Sequence, residues 1–294
     1  MINLVQTLGS GILLGLVYSL LGLCIVIIFK ASETFNFAVG EFLVIGSFLF
    51  YVLFFDLNLP FIVALLLGLL AAGLVGAMVE RFTIKPLLGR SPISMTIVTI
   101  GLWFFLRSCV QLIFGSQSYS FFVDLPDITL DAGGLLFLSD PLWAGMFSLA
   151  TFGLVMVLLF RTRWGLAIRA TSENQAKAMA FGINSRFVLL IVWAISSACI
   201  AVAGVMISNF GALSSTSSIV GLRAIPVVLI GGMDSIVGAL VGGVIVGICE
   251  SLAGTYIDSM GLVGFKDVAP YILLLIVLFI RPYGIFGTVR IERV

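Results

Sequence analysis

Few side chains in this sequence could do chemistry. The 294 residues include no histidine, and they hold no nucleophile with a base and no carboxylate pair at catalytic spacing. The pattern G-x-x-x-x-G-K-[ST], whose backbone holds nucleotide phosphates, is also missing. The four cysteines stand singly in apolar runs, which is typical of small buried residues. We therefore expect no catalytic residue, no metal site and no cofactor bound by this chain, and any ATP must be bound by another subunit.

Three charged residues do stand out, because they lie inside apolar runs: Glu41, Arg107 and Glu250. A charge at the centre of a membrane helix costs about 2.5–3.5 kcal/mol on insertion scales, so such residues are candidates for function. Each also has a structural interpretation. Glu41 could complement the dipole at a helix N-terminus. Arg107 and Glu250 could form an external ion pair or extend to the membrane interface.

The elements that position these residues are membrane helices. The composition is 61% hydrophobic with a mean hydropathy of +1.25, and about 20 apolar residues suffice to cross a bilayer core of about 30 Å. The sequence predicts an all-α, polytopic transmembrane bundle in a single domain, 1–294. Its eight main spans are 7–29, 38–55, 60–82, 92–114, 141–160, 186–210, 236–256 and 268–281. A ninth apolar piece, 219–232, is short and is predicted to be broken or re-entrant.

Basic residues set the expected orientation. They cluster near 81–90, at 161–186 and at 281–293, whereas the loop 115–140 has four aspartates and no Lys or Arg. The loop 115–140 is therefore expected outside, as a hairpin or an ordered coil. The basic clusters are expected in the cytoplasm. The N-terminus is then outside, on a first span that is not a cleaved signal peptide, and the C-terminus is cytoplasmic if 219–232 crosses.

The loop 161–186 carries five of the 15 Lys and Arg residues around one short predicted helix. Ser172 is a candidate N-cap with Gln175 completing a capping box, and Gly182 is placed to end the helix. An apolar stripe is expected at Ala176, Met179, Ala180 and Ile183. The helix is either a plain interfacial helix or a compact element that fits a partner's groove. Physical reasoning alone leaves both interpretations open.

Small residues recur at helical spacing, as at Gly11/Gly15, Gly68/Ala72/Gly76, Gly238/Gly242 and Gly243/Gly247. In lipid this pattern favours close helix packing, and the alternative is a glycine-lined conduit.

Four motifs occur in chain order over nearly the whole sequence: FNFAVGE, RATSENQAKAMAFGI, GLRAIPVVLIGGMDSIVGALVGG and RPYGIFG. They resemble those of LivH-like permeases of branched-chain amino acid ABC importers. Val39 departs from the resemblance, because that family usually has histidine there.

The resemblance implies a bacterial inner-membrane permease that pairs with a second, LivM-like permease. Two ATP-binding subunits would dock on the cytoplasmic face and a periplasmic substrate-binding protein on the outer face, with membrane lipid around the chain. The net charge of +1 gives no reason to expect nucleic-acid binding. The resemblance also implies that the loop helix couples to the ATPases. The coupling residues would be Arg169, Ser172, Glu173, Asn174, Lys177, Met179 and Gly182.

The expected mechanism is alternating access driven by the ATPase subunits, and this chain is expected not to be an enzyme. Candidate positions on the translocation path are Asn36, Glu41, Gly231, Gly232, Gly238 and Gly242. The expected solutes are branched-chain or related small amino acids; the alternatives are urea, short amides or aromatic acids. A stand-alone secondary transporter or channel is the rival from another class, although neither an inverted repeat nor paired intramembrane charges favour it.

Overall fold

The structure is a computed structural model, and it describes residues 2–123, 125–126, 130–131, 136–137, 139–209 and 212–288. Four charges used above to predict orientation lie outside the described residues: Asp124, Asp127, Arg290 and Arg293.

Twelve α-helices form within the described residues. They are α1 (Ile2–Ser32), α2 (Val39–Tyr51), α3 (Phe61–Val79), α4 (Pro92–Phe114), α5 (Ser139–Arg161), α6 (Arg163–Glu173), α7 (Gln175–Ala180), α8 (Ser185–Ser208), α9 (Ser218–Leu222), α10 (Ala224–Gly231), α11 (Ile236–Leu252) and α12 (Phe265–Ile280). Turns of π helix extend three of them, at Val52–Asp56, Glu80–Ile84 and Ala253–Ile257. Shorter 3₁₀ turns occupy Lys85–Leu87, Ser215–Ser217 and Asp258–Met260.

The predicted all-α multi-pass architecture is confirmed. Within the described part of the chain, seven helices are long and apolar enough to cross a membrane. This count includes the π and 3₁₀ turns that extend some of them. The eighth predicted span, 268–281, corresponds to α12, which has 16 residues. The short element predicted at 219–232 is the apolar stretch Ser215–Gly231, which divides at Arg223 into α9 and α10. In the loop 115–140, β1 (Leu130–Asp131) pairs antiparallel with β2 (Leu136–Phe137), so this loop contains a small hairpin.

The chain forms two compact units. The first unit comprises Met1–Val26, Asp124–Leu149 and Arg223–Val294, and the second comprises Ile27–Val123 and Ala150–Leu222.

In the first unit, α1 and α11 pack with their backbones in contact. A Cβ added to Gly15 would lie 2.7 Å from Val244 Cα, and one added to Gly247 would lie 2.4 Å from Gly11 O. Real Cβ atoms do not approach other atoms so closely, so only glycine fits at these positions. Because Gly11 lies beside Ile248 while Gly15 lies beside Val244, the two helices run antiparallel. The glycine pattern on these two helices thus serves close packing.

Helix α10 also runs antiparallel to α11, since Gly242 faces Val227 while Gly238 faces Gly231. The turn between them is covered by the segment after α12. Ile285 N donates to Ile230 O at 2.8 Å and Phe286 N to Gly231 O at 3.0 Å.

The helix directions in the first unit determine where α1 begins and where α12 ends. Lys266, in the first turn of α12, packs against Gly254 just beyond the C-terminal end of α11. Therefore α1, α10 and α12 run one way and α11 runs the other. The start of α1 and the end of α12 consequently lie at opposite ends of this unit. This arrangement favours a crossing by the whole apolar stretch Ser215–Gly231, of which α10 is the second half, rather than a re-entrant turn.

In the second unit, α2, α3 and α8 form the core around the fully buried side chain of Trp193. Helix α2 approaches α8 through small residues, since a Cβ on Gly46 would lie 2.3 Å from Ala201 Cβ and one on Gly204 would lie 2.4 Å from Leu43 O. The two helices therefore run antiparallel. The loops after α4 and α8 are joined by a bridge between Tyr119 and Leu213.

Candidate functional site

The six residues between α1 and α2, 33–38, are not helical. Hydrogen bonds to Thr99 hold this break against α4. The Thr99 hydroxyl donates to Phe35 O at 2.9 Å and accepts from Phe37 N at 3.2 Å. Thr99 is the eighth residue of α4, so it lies about 10 Å along that helix at 1.5 Å per residue. Because α4 is long enough to span a membrane, the break lies at membrane depth. Irregular backbone is tolerated there only within protein or beside a water-filled cavity.

Glu41 lies directly after this break, in the first turn of α2, and none of its surface is exposed. Its Oε1 accepts a hydrogen bond of 3.0 Å from Trp103 Nε1, and the Arg107 guanidinium interacts with the carboxylate electrostatically. Its Oε2 has no partner of good hydrogen-bond geometry among the described residues, and the Ser218 side chain of α9 also interacts with the carboxylate. A buried carboxylate with one oxygen unsatisfied is costly, so the position is a strong candidate for a functional role.

Asn36 contributes a second buried polar group, within the break itself. Its Oδ1 accepts from Ala38 N at 3.0 Å, while its Nδ2 finds no partner within the part of the chain that the structure describes. The unpaired donor of Asn36 and the unpaired acceptor of Glu41 give this region one free group of each kind. We call Asn36, Glu41 and Trp103 the central polar cluster.

Helix α9 closes one side of the central polar cluster by packing on the start of α2. A Cβ on Gly40 would lie 2.1 Å from Ser218 O, and one on Gly221 would lie 2.3 Å from Gly40 Cα. The adjoining Val39 side chain is buried at this contact. The α9 backbone therefore contacts Gly40, the residue that precedes Glu41 in the chain.

A second charged group lies in the first unit, where Arg223 forms ion pairs with both Glu250 and Asp267. The Tyr18 hydroxyl completes it, because it donates to Glu250 Oε2 at 2.9 Å and accepts from Arg223 Nη1 at 2.8 Å. Arg223 stands at the break between α9 and α10, so this group ties the start of α10 to α1, α11 and α12. Glu250 thus has a structural ion pair, and its cation is Arg223.

The predicted coupling loop forms two helices rather than one. Ser172 is not the N-cap, because it lies within α6 and its hydroxyl donates to Ile168 O at 2.8 Å. The cap is Asn174, whose Oδ1 accepts from Lys177 N at 2.9 Å at the start of α7. Gly182 has φ +83° beyond the end of α7, as expected for a residue that ends a helix. The helix is therefore shorter than predicted and begins two residues later.

The exposed surface of α7 combines charge with large apolar groups. Glu173, Asn174 and Lys177 are exposed, as predicted. The expected apolar stripe is wrong at Met179, which is 54% exposed, and Phe181 is 86% exposed. Ala180 is exposed as well, Ile183 is part-buried, and the Ala176 side chain lies outside the described residues. The buried residue of α7 is instead Ala178.

Arg169 lies in α6 and is part-buried. Its guanidinium stacks over the Phe160 ring at 5.1 Å, and this contact joins α6 to the end of α5. A cation–π contact of this kind fixes the orientation of α6.

The four glycines predicted on the translocation path lie in the α10–α11 hairpin. Gly231 and Gly238 face each other, Gly242 faces Val227 O, and Gly232 adopts φ +109° at the turn. Each is in contact with backbone, which accounts for its residue type by packing. Their role on a translocation path stays a prediction.

Sequence reasoning missed several residues of these sites. Trp103, Tyr18 and Asp267 lie on different helices from the charges they contact, and no spacing along the chain indicates such pairs. Phe181 was missed because an apolar residue in an amphipathic segment is ordinarily expected to be buried.

Comparisons with known proteins agree with this architecture. Residues 7–280 match the family described as "Branched-chain amino acid transport system / permease component". The permease protein LivH of the high-affinity branched-chain amino acid transport system of Escherichia coli K12 is 30% identical, over 98% of this chain and 97% of that protein. BraD of Pseudomonas aeruginosa is 28% identical over 98% and 97%, and a probable LivH of Methanocaldococcus jannaschii is 27% identical over 97% and 95%. The chain belongs to the family of permease components of branched-chain amino acid transport systems, and it is a multi-pass membrane permease subunit of an ABC importer.

Proposed function

We propose that this chain forms one half of the membrane pathway of an importer for branched-chain or related small amino acids. The names of the relatives, which describe branched-chain amino acid transport, support this substrate class. Urea, short amides and aromatic acids are the alternative solutes. The other half of the pathway would be a second permease of the LivM type, and a periplasmic binding protein would deliver the solute.

The observation that carries the coupling proposal is the exposed surface of α7. A six-residue helix capped by Asn174 presents Met179 and Phe181 to solvent between charged neighbours. Exposed apolar side chains rimmed by charge are typical of protein contact sites. We assign this surface to an ATP-binding subunit, with Glu173 and Lys177 at its edge. Closure of two such subunits on ATP would move α6 and α7 and switch the permease pair between its two accessible states.

The central polar cluster is the proposed solute contact within the membrane. Asn36 and Glu41 offer an unpaired donor and an unpaired acceptor at a break in the helices. A zwitterionic solute could use both, because its ammonium group pairs with the carboxylate and its carboxylate accepts from the amide. The glycines at 231, 232, 238 and 242 would let α10 and α11 slide while their backbones stay in contact.

The proposed location is the bacterial inner membrane, with the N-terminus outside and the C-terminus in the cytoplasm. The opposite positions of the start of α1 and the end of α12 in the first unit support this orientation. ATP would be bound and hydrolysed by the partner subunits, since this chain has no phosphate-binding loop.

Reconstitution tests the proposal. We expect ATP-dependent uptake of a radiolabelled branched-chain amino acid by proteoliposomes that hold this permease, its second permease and both ATPase subunits, when the binding protein is supplied. Omission of the ATPase subunits should abolish uptake. Uptake by this chain alone would instead identify a secondary transporter or channel and would refute the proposal.

A further inference from the structure

A polar pocket opens in the first unit at the end where α1 begins and α11 finishes. Its volume is about 310 Å³, and it is lined by five neutral polar residues: Gln6, Thr7, Ser10, Ser251 and Thr255. The surroundings are apolar, because Leu4 and Val5 on the same turn of α1 are each 47% exposed. A concentration of neutral polar groups within two apolar helices requires an explanation, since each one weakens the preference of its helix for lipid.

The pocket exists because the contact between α1 and α11 ends at Gly11. A Cβ on Gly11 would lie 2.8 Å from Ile248 Cα and 3.0 Å from Ser251 Cβ, so the backbones are in contact there. One turn further on, α11 gives way to the π turn Ala253–Ile257, which contains Thr255. A π turn inserts extra backbone into a helix and is frequent at functional sites. Beyond Gly11 the two helices therefore enclose a cavity rather than a packed contact.

Helix association alone does not account for this pocket. Two hydrogen bonds do link the helices, from Ser251 Oγ to Thr7 O at 2.9 Å and from Thr7 Oγ1 to Thr255 Oγ1 at 3.4 Å. Such bonds are a common way to join membrane helices. However, helices joined only by these bonds would close around them, whereas Thr255 is exposed and the pocket stays open.

The chemistry of the lining selects a ligand class. Hydroxyl and amide groups both donate and accept hydrogen bonds, and none of the five lining residues carries a charge. A pocket of this size fits a small molecule, at the lower end of the usual range of about 300–1,000 Å³. It therefore suits a small solute without net charge that has both donors and acceptors, such as a zwitterionic amino acid or an amide.

We propose that this α1–α11 pocket is a second binding site for the transported solute, which holds the solute transiently and is distinct from the central polar cluster. The inference rests on the proposed function, because it assumes that the chain transports such a solute. Neutral groups suit a transient site, since they hold the solute without the strong attraction of an ion pair.

The test uses the complete importer in proteoliposomes. Thr255→Val keeps the side-chain shape and removes the hydroxyl, and Ser10→Ala removes a second one. Each should lower the uptake rate by about 2- to 10-fold, the loss expected for one hydrogen bond. Ser10→Trp fills the pocket and should lower uptake by more than about 10-fold. The matched control is Ser259→Ala, whose hydroxyl bonds to Tyr256 O outside the pocket, and it should leave uptake unchanged.

A labelling experiment keeps the test decisive if a variant assembles poorly. Ser10→Cys is introduced with Cys109 and Cys249 replaced by alanine, and the importer is treated with a hydrophilic, membrane-impermeant thiol reagent. We expect modification, and we expect the solute that the parent importer takes up to slow it several-fold.

Uptake at the parent rate by Ser10→Trp, or modification that this solute does not slow, would overturn the second site and leave only a helix contact. Failure of the parent importer to take up any of the candidate solutes would instead overturn the proposed function.

Discussion

The Trp103 indole donates a hydrogen bond of 3.0 Å to the Glu41 carboxylate, and this bond joins the first turn of α2 to the middle of α4. Trp103 is a donor only, so it stabilises an oxygen acceptor at this position whether or not that acceptor is charged. The other carboxylate oxygen of Glu41 has no partner of good hydrogen-bond geometry among the described residues. The fold therefore requires an acceptor at position 41, and the negative charge is left available for function.

Glu41→Gln separates these two roles. Glutamine keeps an acceptor for Trp103 and removes the buried charge, so the unfolding temperature in detergent should equal or exceed that of the parent. Uptake should fall by at least about 10-fold, which corresponds to the loss of about 1.4 kcal/mol in solute or transition-state binding. Scanning fluorimetry and proteoliposome uptake measure the two effects. Normal uptake by Glu41→Gln would show that the charge plays no part.

Trp103→Phe should instead act on stability. It removes the indole hydrogen bond to the buried Glu41 carboxylate, at a cost of about 1–3 kcal/mol. Trp143→Phe is the matched control, because it removes one indole hydrogen bond to Pro126 O at a part-exposed position. If the two variants unfold at the same temperature, the bond between Trp103 and Glu41 contributes no more to stability than the bond between Trp143 and Pro126 O.

Arg223→Gln should destabilise the first unit. It leaves Glu250 as a buried, unpaired charge, and breaking a buried pair costs about 3–5 kcal/mol. Adding Glu250→Gln should restore much of the lost stability, because the uncompensated charge is then removed. Asp267→Asn is the control, since that carboxylate is about half exposed and its pair with Arg223 should contribute less than about 1 kcal/mol. Equal losses in Arg223→Gln with and without Glu250→Gln would contradict this account.

Gly247→Ala tests the contact between α1 and α11. Its new Cβ would lie 2.4 Å from both Gly11 O and Gly15 N, so the helices must separate. We expect a loss of more than about 2 kcal/mol in the free energy of unfolding, in the range of overpacked cores. Gly153→Ala in α5 is the control, because nothing lies within 4 Å of its Cβ. That change should be neutral or stabilise the helix by about 0.5–1 kcal/mol. Equal effects at both glycines would argue against backbone contact.

Phe181→Ser tests the proposed ATPase contact. Phe181 is 86% exposed, so its replacement should leave the unfolding temperature of the isolated permease unchanged. Copurification of the ATPase subunits should fall, and an anchor residue of an interface is worth about 2 kcal/mol or more. Phe122→Ser, at a 65% exposed position in the loop after α4, is the matched control and should copurify the ATPase normally. Retention of full ATPase binding by Phe181→Ser would exclude this side chain from the contact.

Gly182→Ala and Glu173→Ala test the ends of the same loop. Gly182 has φ +83°, which L-residues rarely adopt, so alanine should displace α7 at a cost of about 1 kcal/mol or more. Glu173 is exposed, so its loss should act only on binding to a partner. Both variants should insert in the membrane normally yet transport more slowly. Normal assembly and transport by both would leave α6 and α7 as an interfacial pair only.

The sequence predicted the membrane helices well because apolar composition over 20 residues is a local property. It also indicated Glu41 and Glu250, because a charge in an apolar run is visible in one dimension. Their partners, Trp103 and Arg223, depend on how helices pack, which one sequence does not reveal. The predicted N-cap at Ser172 was wrong for a local reason. Two helices adjoin there, so Ser172 lies within α6, and Asn174 is the N-cap of α7.

The segment that follows α12 covers the turn between α10 and α11, with Ile285 and Phe286 bonded to the last residues of α10. Gly232 has room for this contact only because it lacks a Cβ, which would lie 2.4 Å from Gly287 N. In biosynthesis this means that the α10–α11 hairpin is finished only after α12 and the segment that follows it have been made. A chain cut before α12 would therefore leave the turn between α10 and α11 uncovered, with the carbonyl oxygens of Ile230 and Gly231 without these backbone partners.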